Sequence, residues 1–261
     1  MFQLAVLVSS SQGNASFIRT DETAILLDAG TPAKTIFNAL QDLGIDRYEI
    51  KGVILSHEHY DHIKGAGAVL RYLKVPLYIN EETYHQCQYR LGNIPAGINF
   101  FQTGIPFRIN DLVIHPFSSS HDAVESCNFT FHRLQNQERK LGIATDLGFP
   151  TTLVVNKLKD CTTIVLESNH DEKMLMEGPY PWSLKQRIKS PQGHLSNQQA
   201  VGLLSQIMHY GLENLILAHL SETNNNPQLV WETMNNFLQS IRSNVNLLIA
   251  EPYRHTPLIN I

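Results

Sequence analysis

Residues 56–65 have the sequence SHEHYDHIKG, which contains three histidines and one aspartate within six positions. The stretch follows the apolar β-type run KGVIL at residues 51–55, so it begins where a predicted strand gives way to a loop. Imidazole and carboxylate groups are typical ligands of Zn²⁺, Mn²⁺ and Fe ions. Because so short a stretch cannot fold all four side chains onto one ion, it predicts two adjacent ions that need more ligands from elsewhere.

Four further histidine or aspartate residues follow apolar β-type runs in the same way. They are Asp28 in LLDAG, His121 in SSSHDA, Asp146 in GIATDLG and His219 in LILAHLS. Binding and catalytic groups are often carried by loops at strand ends, where a rigid sheet positions them. We therefore expect these four residues to supply the missing ligands.

The bulk composition is that of an ordinary globular protein. The 261 residues are 43% hydrophobic and 17% charged, and the formal net charge is −4. This charge excludes a global positive field for nucleic acid, but not a local basic patch. The apolar runs are too short for a membrane span, and the N-terminus lacks the basic flank of a signal peptide. The three scattered cysteines predict reduced thiols in a cytoplasmic protein.

The order of predicted elements is repeated in two halves of the chain. In each half, several strand-like runs precede an alternation of helices and strands, and no linker-like segment divides the sequence. Residues 171–210 are predicted to be a helical region. The pattern indicates two sheets packed together with helices outside, in a single domain that spans residues 1–261.

The spacing His-x-His-x-Asp-His, with the later His, Asp and His, resembles the metallo-β-lactamase fold superfamily from Asp28 to His219. The resemblance implies an α/β fold, the αββα sandwich of two mixed β-sheets with helices on the outer faces. It also implies two divalent ions per chain, Zn²⁺ or Mn²⁺. One ion would take His57, His59 and His121, the other would take Asp61, His62 and His219, and Asp146 would bridge them. Asp28 would support the site from outside the ligand sphere.

Residues 167–200 indicate which branch of the superfamily the chain resembles. Asp61 and His62 disfavour the cysteine-containing β-lactamase pattern. The motif GHLS around His194 is similar to that of the ribonuclease Z branch, where a histidine donates a proton and a glutamate, here Glu167, orients it. The series ESNHD, YPWSLKQRI, GHLSN and AHLS resembles the YycJ/WalJ family of bacterial nucleases. This resemblance implies a 5′-to-3′ exonuclease acting on double-stranded DNA.

The chemistry of such a site suits phosphodiester hydrolysis. Two neighbouring ions can clamp the attacking and leaving oxygens of an in-line displacement, with a bridging hydroxide as the nucleophile. Because the leaving group is an alkoxide, a general acid assists its departure. We expect His194 to donate that proton, Glu167 to fix its tautomer and raise its pKa, and Asp61 to accept a proton from the attacking water.

Three residues of a loop are candidates for phosphate binding. The loop SSSQGN at residues 9–14 is similar to a Ser-Gly-Ser-x-Gly-Asn-like loop of related phosphodiesterases, although Ser10 stands where glycine is usual. Ser11, Gly13 and Asn14 match that pattern, and backbone N–H groups in such a loop can approach an anion. An ordinary turn explains the sequence nearly as well.

We predict roles for four more residues near the predicted site. Lys185 and Arg187 are expected to give a local positive surface for backbone phosphates. His170 is a candidate for phosphate binding, with a structural role as the alternative. Asp122 is expected to orient the imidazole of His121.

Two other functions fit parts of the pattern. A small-molecule hydrolase could cleave esters, thioesters or lactones at the same dinuclear site. An iron-containing, oxygen-reducing module would need a carboxylate-rich site and a flavin domain, so it ranks last. His194, Glu167 and the nearby basic residues favour the nuclease. The sequence leaves open the native metal, DNA against RNA, exonuclease against endonuclease, and the oligomeric state.

Overall fold

The computed structural model describes residues 1–261 and contains two seven-stranded β-sheets. The strands of the first sheet are β1 (Gln3–Ser10), β2 (Gly13–Arg19), β3 (Ala24–Leu27), β4 (Ile50–Ile54), β5 (Leu77–Ile79), β6 (Ile98–Phe100) and β14 (Ile259–Asn260). Those of the second are β7 (Phe107–Ile109), β8 (Leu112–Ser118), β9 (Cys127–Arg133), β10 (Asn136–Ala144), β11 (Thr163–Glu167), β12 (Asn214–Ala218) and β13 (Asn246–Ile249). The spatial orders are β14-β1-β2-β3-β4-β5-β6 and β13-β12-β11-β10-β9-β8-β7.

Both sheets are mixed and have the same organisation. Strands β1 to β3 pair antiparallel, and β3 to β6 pair parallel. In the second sheet, β7 to β10 pair antiparallel and β10 to β13 pair parallel. This is the repeated order predicted from the sequence. The short strands β6, β7 and β14 were not predicted, because two or three residues give no periodicity.

Helices cover the outer faces of the sheets. They are α1 (Ala33–Asp42), α2 (Tyr60–Ile63), α3 (Ala66–Leu73), α4 (Glu81–Leu91), α5 (Thr152–Leu158), α6 (Glu172–Glu177), α7 (Trp182–Lys189), α8 (Asn197–Ile207) and α9 (Pro227–Ser240). The predicted helical region 171–210 is divided into α6, α7 and α8. Gly178 ends α6, and Pro181, which favours extended backbone before it, starts α7. No helix has both the length and the apolar character needed to cross a membrane.

Three apolar layers hold the fold together. Alternate residues of each strand point to opposite faces, so Leu4 and Val6 of β1 pack between the sheets. Ala5 and Leu7 pack instead beneath the helices on the first sheet. A third layer lies between the second sheet and helices α5, α8 and α9. The predicted αββα sandwich is confirmed.

Candidate active site

Three histidine side chains from both sheets form the first ligand group. His57 and His59 follow β4, and His121 follows β8; their ligand atoms all lie within 4.8 Å of one another. Nδ1 of His59 lies 3.1 Å from Nε2 of His121. The Ser56 hydroxyl lies 3.0 Å from Nδ1 of His57, which leaves Nε2 of His57 facing the group. Such a set of converging imidazoles suits a divalent transition metal.

A second group mixes carboxylates and imidazoles. It contains Asp61, His62, Asp146 and His219, again with ligand atoms within 4.8 Å of one another. Nε2 of His62 lies 3.4 Å from Oδ2 of Asp61 and 3.2 Å from Oδ2 of Asp146. The other oxygen of Asp146, Oδ1, lies 3.5 Å from Nε2 of His219 and 3.6 Å from Nε2 of His121. Asp146 therefore stands between the two groups.

Hydrogen bonds fix which ring nitrogen of each histidine faces the centre. Asp28 accepts one from Nδ1 of His62 at 2.8 Å, and also accepts from the backbone and the hydroxyl of Ser56, both at 2.9 Å. The carbonyl of Gly193 lies 3.1 Å from Nδ1 of His121. Both rings therefore direct Nε2 into the cluster, the arrangement by which outer partners orient metal-binding imidazoles.

Glu167 supports two histidines at once. Its Oε1 accepts hydrogen bonds from Nδ1 of His194 and Nδ1 of His219, each at 2.8 Å. The carboxylate also accepts from three backbone N–H groups, those of Asp146, Leu147 and Leu195. Glu167 is fully buried. Burial opposes its ionisation, but the charge and hydrogen bonds of His194 and His219 prevail and lower the pKa of Glu167 to about 2.

His194 lies beside both ligand groups. Its ring centre is 5.0 Å from that of His121 and 5.2 Å from that of His219. The bond from Nδ1 to Glu167 leaves Nε2 without a hydrogen-bond partner, and the side chain is 17% exposed. His194 thus lies between the buried cluster and solvent, with Nδ1 bonded to Glu167 and part of its ring exposed.

Charges within the cluster outweigh the effect of burial on the pKa values of Asp146 and His219. Burial disfavours ionised Asp146, yet the positive charges of His219 and His62 hold its pKa well below the usual range. Burial likewise disfavours charged His219, but Asp146, Asp61 and Glu167 raise its pKa to about 10. The pKa of His57 is lowered by burial and by the charge of His62. Without metal, the two carboxylates of the second group therefore hold protons on His62 and His219, whereas His57 is a neutral imidazole.

The residues present fit a divalent metal ion. Nε2 of His57 is buried without a hydrogen-bond partner, and Oδ2 of Asp146 has His62 at 3.2 Å but no well-aligned hydrogen bond, although buried polar atoms are rarely left so. Both atoms face other ligand atoms of the groups described above. A cation would satisfy them and would replace the protons on His62 and His219.

Three site residues have left-handed backbone. Asp28, Asp146 and His219 have φ angles of 60°, 55° and 57°. Each directly follows a strand, or follows it by two residues, at the point where the chain turns into the cleft. Such conformations cost residues other than glycine free energy and are concentrated at functional sites.

The β1–β2 turn, which carries the predicted phosphate-binding residues, contacts the second group. Nδ2 of Asn14 lies 3.2 Å from Oδ2 of Asp61 and 3.2 Å from Nε2 of His62. Ser11 lies 3.4 Å from the amide of Asn169. A side chain on Gly13 would meet the carbonyl of Gly30 at 3.0 Å, so glycine is favoured there by packing. The structure thus places the matched loop at the cleft, with Asn14 against candidate ligands.

Two sequence predictions on the α7 side differ from the structure. The Lys185 ammonium donates to the carbonyls of Met176 and Gly178, at 2.7 and 2.8 Å, which end α6. It is therefore not available as the phosphate contact that we predicted. Asp122 pairs with the Arg187 guanidinium through two hydrogen bonds. Its Oδ1 lies 3.6 Å from Nε2 of His121, the nitrogen that faces the ligand group, so the ring is oriented from its other side, through Nδ1, by the Gly193 carbonyl.

His170 fits its structural alternative rather than phosphate binding. Its side chain is only 1% exposed, and burial lowers its pKa to about 4. Its backbone carbonyl accepts from the N–H of Asn197. A buried neutral imidazole does not offer the phosphate contact that we predicted. Arg187 remains half exposed at the cleft rim, beside its partner Asp122.

Sequence reasoning did not identify three supporting residues. Ser56 contacts His57 and Asp28, as described above. The hydroxyl of Ser9 accepts from the backbone N–H of His219 at 2.8 Å, and Nδ2 of Asn169 donates to the carbonyl of His219 at 2.9 Å. The only sequence feature that indicates a role for these three residues is their position beside a strand end or a recognised motif.

Comparisons with known proteins agree with this geometry. Residues 9–127 match the metallo-beta-lactamase superfamily. Exodeoxyribonuclease YycJ of Bacillus anthracis is 36% identical over 236 residues, which cover 90% of this chain and 88% of the relative. Exodeoxyribonuclease WalJ of Streptococcus pneumoniae is 31% identical over 240 residues, with coverages of 91% and 88%. The short form of human tRNase Z superposes with a TM-score of 0.67 at 13% identity, covering 99% of this chain and 100% of that chain, and shares the fold.

Proposed function

Because this chain belongs to the metallo-β-lactamase superfamily, within the family of the YycJ and WalJ exodeoxyribonucleases, it is a metal-dependent hydrolase, and we propose that it is a two-metal nuclease. The proposed substrate is double-stranded DNA, degraded as an exonuclease in the 5′-to-3′ direction. The names of the two relatives support a DNA substrate. One ion would be held by His57, His59 and His121, the other by Asp61, His62 and His219, with Asp146 between them.

The observation that carries this proposal is the pair formed by His194 and Glu167. A phosphodiester leaves as an alkoxide, which needs a proton more than the leaving group of a thioester does. His194 is held through Nδ1 by a buried carboxylate, and its Nε2 is free. Its ring centre lies 5.0 Å from that of His121 and 5.2 Å from that of His219, one residue of each ligand group. This is the geometry of a general acid placed beside a metal centre.

The remaining steps follow from the other side chains. When bound, the two ions would polarise the phosphodiester and increase the acidity of the attacking water. Asp61 is ionised, because His62 and His219 hold its pKa below the usual range against the effect of burial, so its carboxylate would orient the attacking water and accept the proton that this water releases. Its side chain is 21% exposed and so reaches the cleft. His194 would donate to the leaving oxygen, and Glu167 would keep the proton on Nδ1.

We also propose one domain and a cytoplasmic location. The apolar layer between the sheets combines residues from both halves of the chain, such as Leu4, Ile54, Phe131 and Ile216, which supports a single domain over 1–261. Cys87, Cys127 and Cys161 are all buried and unpaired, as is usual for proteins of reducing compartments.

Cleavage of a 5′-labelled DNA duplex by the purified protein, loaded with Mn²⁺ or Zn²⁺, tests the function. We expect His194→Ala to lower kcat by about 10²–10⁴ with its metal content retained. Asp61→Asn should lose both activity and part of the metal. His85→Ala, on the exposed face of α4, is the matched control and should behave as the wild type.

Two results would contradict the proposal. Full activity of His194→Ala would remove its role as general acid. No cleavage of DNA or RNA by the metal-loaded protein, together with hydrolysis of small esters, thioesters or lactones, would instead establish the small-molecule hydrolase.

A further inference from the structure

Two of the three cations of α7, Lys185 and Arg187, are used within the protein, whereas Lys189 at the end of the helix is exposed. Lys185 is bonded to the end of α6, and the charge of Arg187 is neutralised by Asp122. An anionic polymer gains most of its affinity from cations that release its counterions. Contacts for the substrate backbone must therefore come also from other surfaces near the centre.

Tyr60 carries such a surface on the opposite face of the histidine-rich stretch. It lies between the candidate ligands His59 and Asp61 at the start of α2, yet its side chain is 57% exposed. The Lys64 ammonium lies 5.6 Å and the Arg90 guanidinium 5.8 Å from the centre of its ring. Neither cation forms an ion pair or a hydrogen bond, whereas Arg19, Arg133, Arg139 and Arg187 each have a carboxylate partner.

Lys64 also lines a cavity beside the metal groups. The cavity has a volume of about 410 Å³, and its wall includes Ser10, Gln12, Gly13 and Thr31. The same β1–β2 turn carries Asn14, whose amide lies 3.2 Å from Asp61. The turn that forms part of the cavity wall therefore also contacts the second ligand group. The wall also contains the carboxylate of Asp42, so contact with a sugar-phosphate unit there falls to Lys64 and to the hydroxyl and amide groups.

We propose that Tyr60, Lys64, Arg90 and this adjoining cavity form a subsite for the nucleic-acid strand next to the scissile phosphate. Lys64 and Arg90 contact backbone phosphates, and the Tyr60 ring packs against a base or sugar. Aromatic rings beside cations bind strands without reading sequence, because every base has a stacking face and every nucleotide a phosphate. This inference rests on the proposed nuclease function and assigns the binding surface that Lys185 does not provide.

Binding of a short fluorescein-labelled DNA duplex with a single-stranded 5′ overhang tests the subsite. Fluorescence anisotropy is measured over a range of salt concentrations, in a His194→Ala background that prevents turnover. Tyr60→Ala should weaken binding by about tenfold, the usual effect of removing one stacking residue. Lys64→Ala and Arg90→Ala should each reduce the slope of log Kd against log salt by about 1.

Tyr210→Ala and Arg242→Ala are matched controls. Tyr210 precedes β12, at the end of that strand away from His219, and both residues line a separate surface cavity. These variants should bind DNA as the background protein does. Metal content and the thermal unfolding transition of every variant are measured to identify any that disturbs the fold. If Tyr60→Ala loses metal, the subsite is tested instead by the DNA affinity of Tyr60→Phe and by the salt slopes of Lys64→Ala and Arg90→Ala.

Unchanged salt slopes in Lys64→Ala and Arg90→Ala, in a protein that binds and cleaves DNA, would overturn the subsite alone. A wild-type protein that is loaded with metal but neither binds nor cleaves nucleic acid would overturn the proposed function, and the subsite with it. The two failures are therefore distinct.

Discussion

The two sides of the candidate centre are supported in different ways. On the side of the first sheet, Asp28 contacts His62 directly but reaches His57 only through the hydroxyl of Ser56. On the side of the second sheet, one carboxylate, Glu167, supports both His194 and His219. A change on the first side should therefore stay local, whereas a change at Glu167 should disturb metal binding and proton donation together.

Glu167→Gln tests this difference with the largest expected effect. An amide nitrogen cannot accept hydrogen bonds, so at least two of the donors that now face the carboxylate would lose their acceptor deep in the protein. We expect a loss of about 3–5 kcal/mol in the free energy of unfolding. Activity should fall by about 10³ or more, because the orientation of His194 and His219 is lost together. Denaturant unfolding and DNA cleavage measure the two effects.

Glu172→Gln is the control for that change. Glu172 accepts from the Ser196 hydroxyl at 3.1 Å and lies at the surface near the same segment, but it contacts none of the candidate ligands. Near-wild-type stability of Glu167→Gln, or an effect equal to that of Glu172→Gln, would show that the shared carboxylate has no special role.

Asp28→Asn should have a smaller and more local effect. The amide would place a donor against Nδ1 of His62 and would favour the tautomer whose proton is on Nε2, the nitrogen that faces the metal groups. We expect metal affinity of the second group to fall by about 10–100-fold while the first group retains its ion. Metal content during titration with a chelator measures both.

Asp122→Asn distinguishes Asp28 from a carboxylate that is merely adjacent to a ligand. Asp122 directly follows His121 but pairs with Arg187. The metal affinity of the Asp122→Asn variant should therefore remain close to that of the wild type. If Asp122→Asn weakened metal binding as much as Asp28→Asn, orientation by Asp28 would not explain the loss.

The pH dependence of metal binding gives the smallest effect and compares the ligand groups directly. Without metal, Asp146 raises the pKa of His219 to about 10 against the effect of burial, so this imidazole is protonated at neutral pH. An ion must displace that proton and the one on His62, so its affinity should fall by more than tenfold for each unit by which the pH is lowered. The pKa of His57 is lowered by burial, so no proton is displaced there.

Calorimetry in buffers of different ionisation enthalpy counts the protons released as each ion binds. We expect release mainly with the ion of the Asp61, His62 and His219 group. Equal release from both groups, or none from either, would contradict the difference in charge between them.

Much of the centre could be predicted because its ligands follow a local rule. His57, Asp146 and His219 each lie just beyond an apolar run, and parallel strands bring such positions to one edge of a sheet, while His62 belongs to the short motif that starts at His57. The sandwich fold could be predicted for the same reason, since the order of strands and helices is written in local periodicity. The metal-binding pattern and the fold therefore came from short stretches of sequence.

The supporting contacts could not be predicted because they depend on distant segments. Arg187 and Asp122 are 65 positions apart, and a charged residue on a helix gives no sign of its partner. Lys185 is bonded to carbonyls that are exposed only because α6 ends at Gly178. Glu167 was predicted to orient His194, but its second bond, to His219, requires β11 and β12 to be neighbours. These contacts become visible only once the tertiary fold is known.

Each proposed ligand set takes residues from both sheets, and this has a consequence for folding. His57 and His59 follow a strand of the first sheet and His121 a strand of the second; Asp61 and His62 are opposed to His219 in the same way. An ion bound there would join the two layers and would bind only after they had docked. Every tenfold rise in free metal above the dissociation constant would then stabilise the folded chain by about 1.4 kcal/mol. Metal supply in the cell would therefore control the lifetime of the protein as well as its activity.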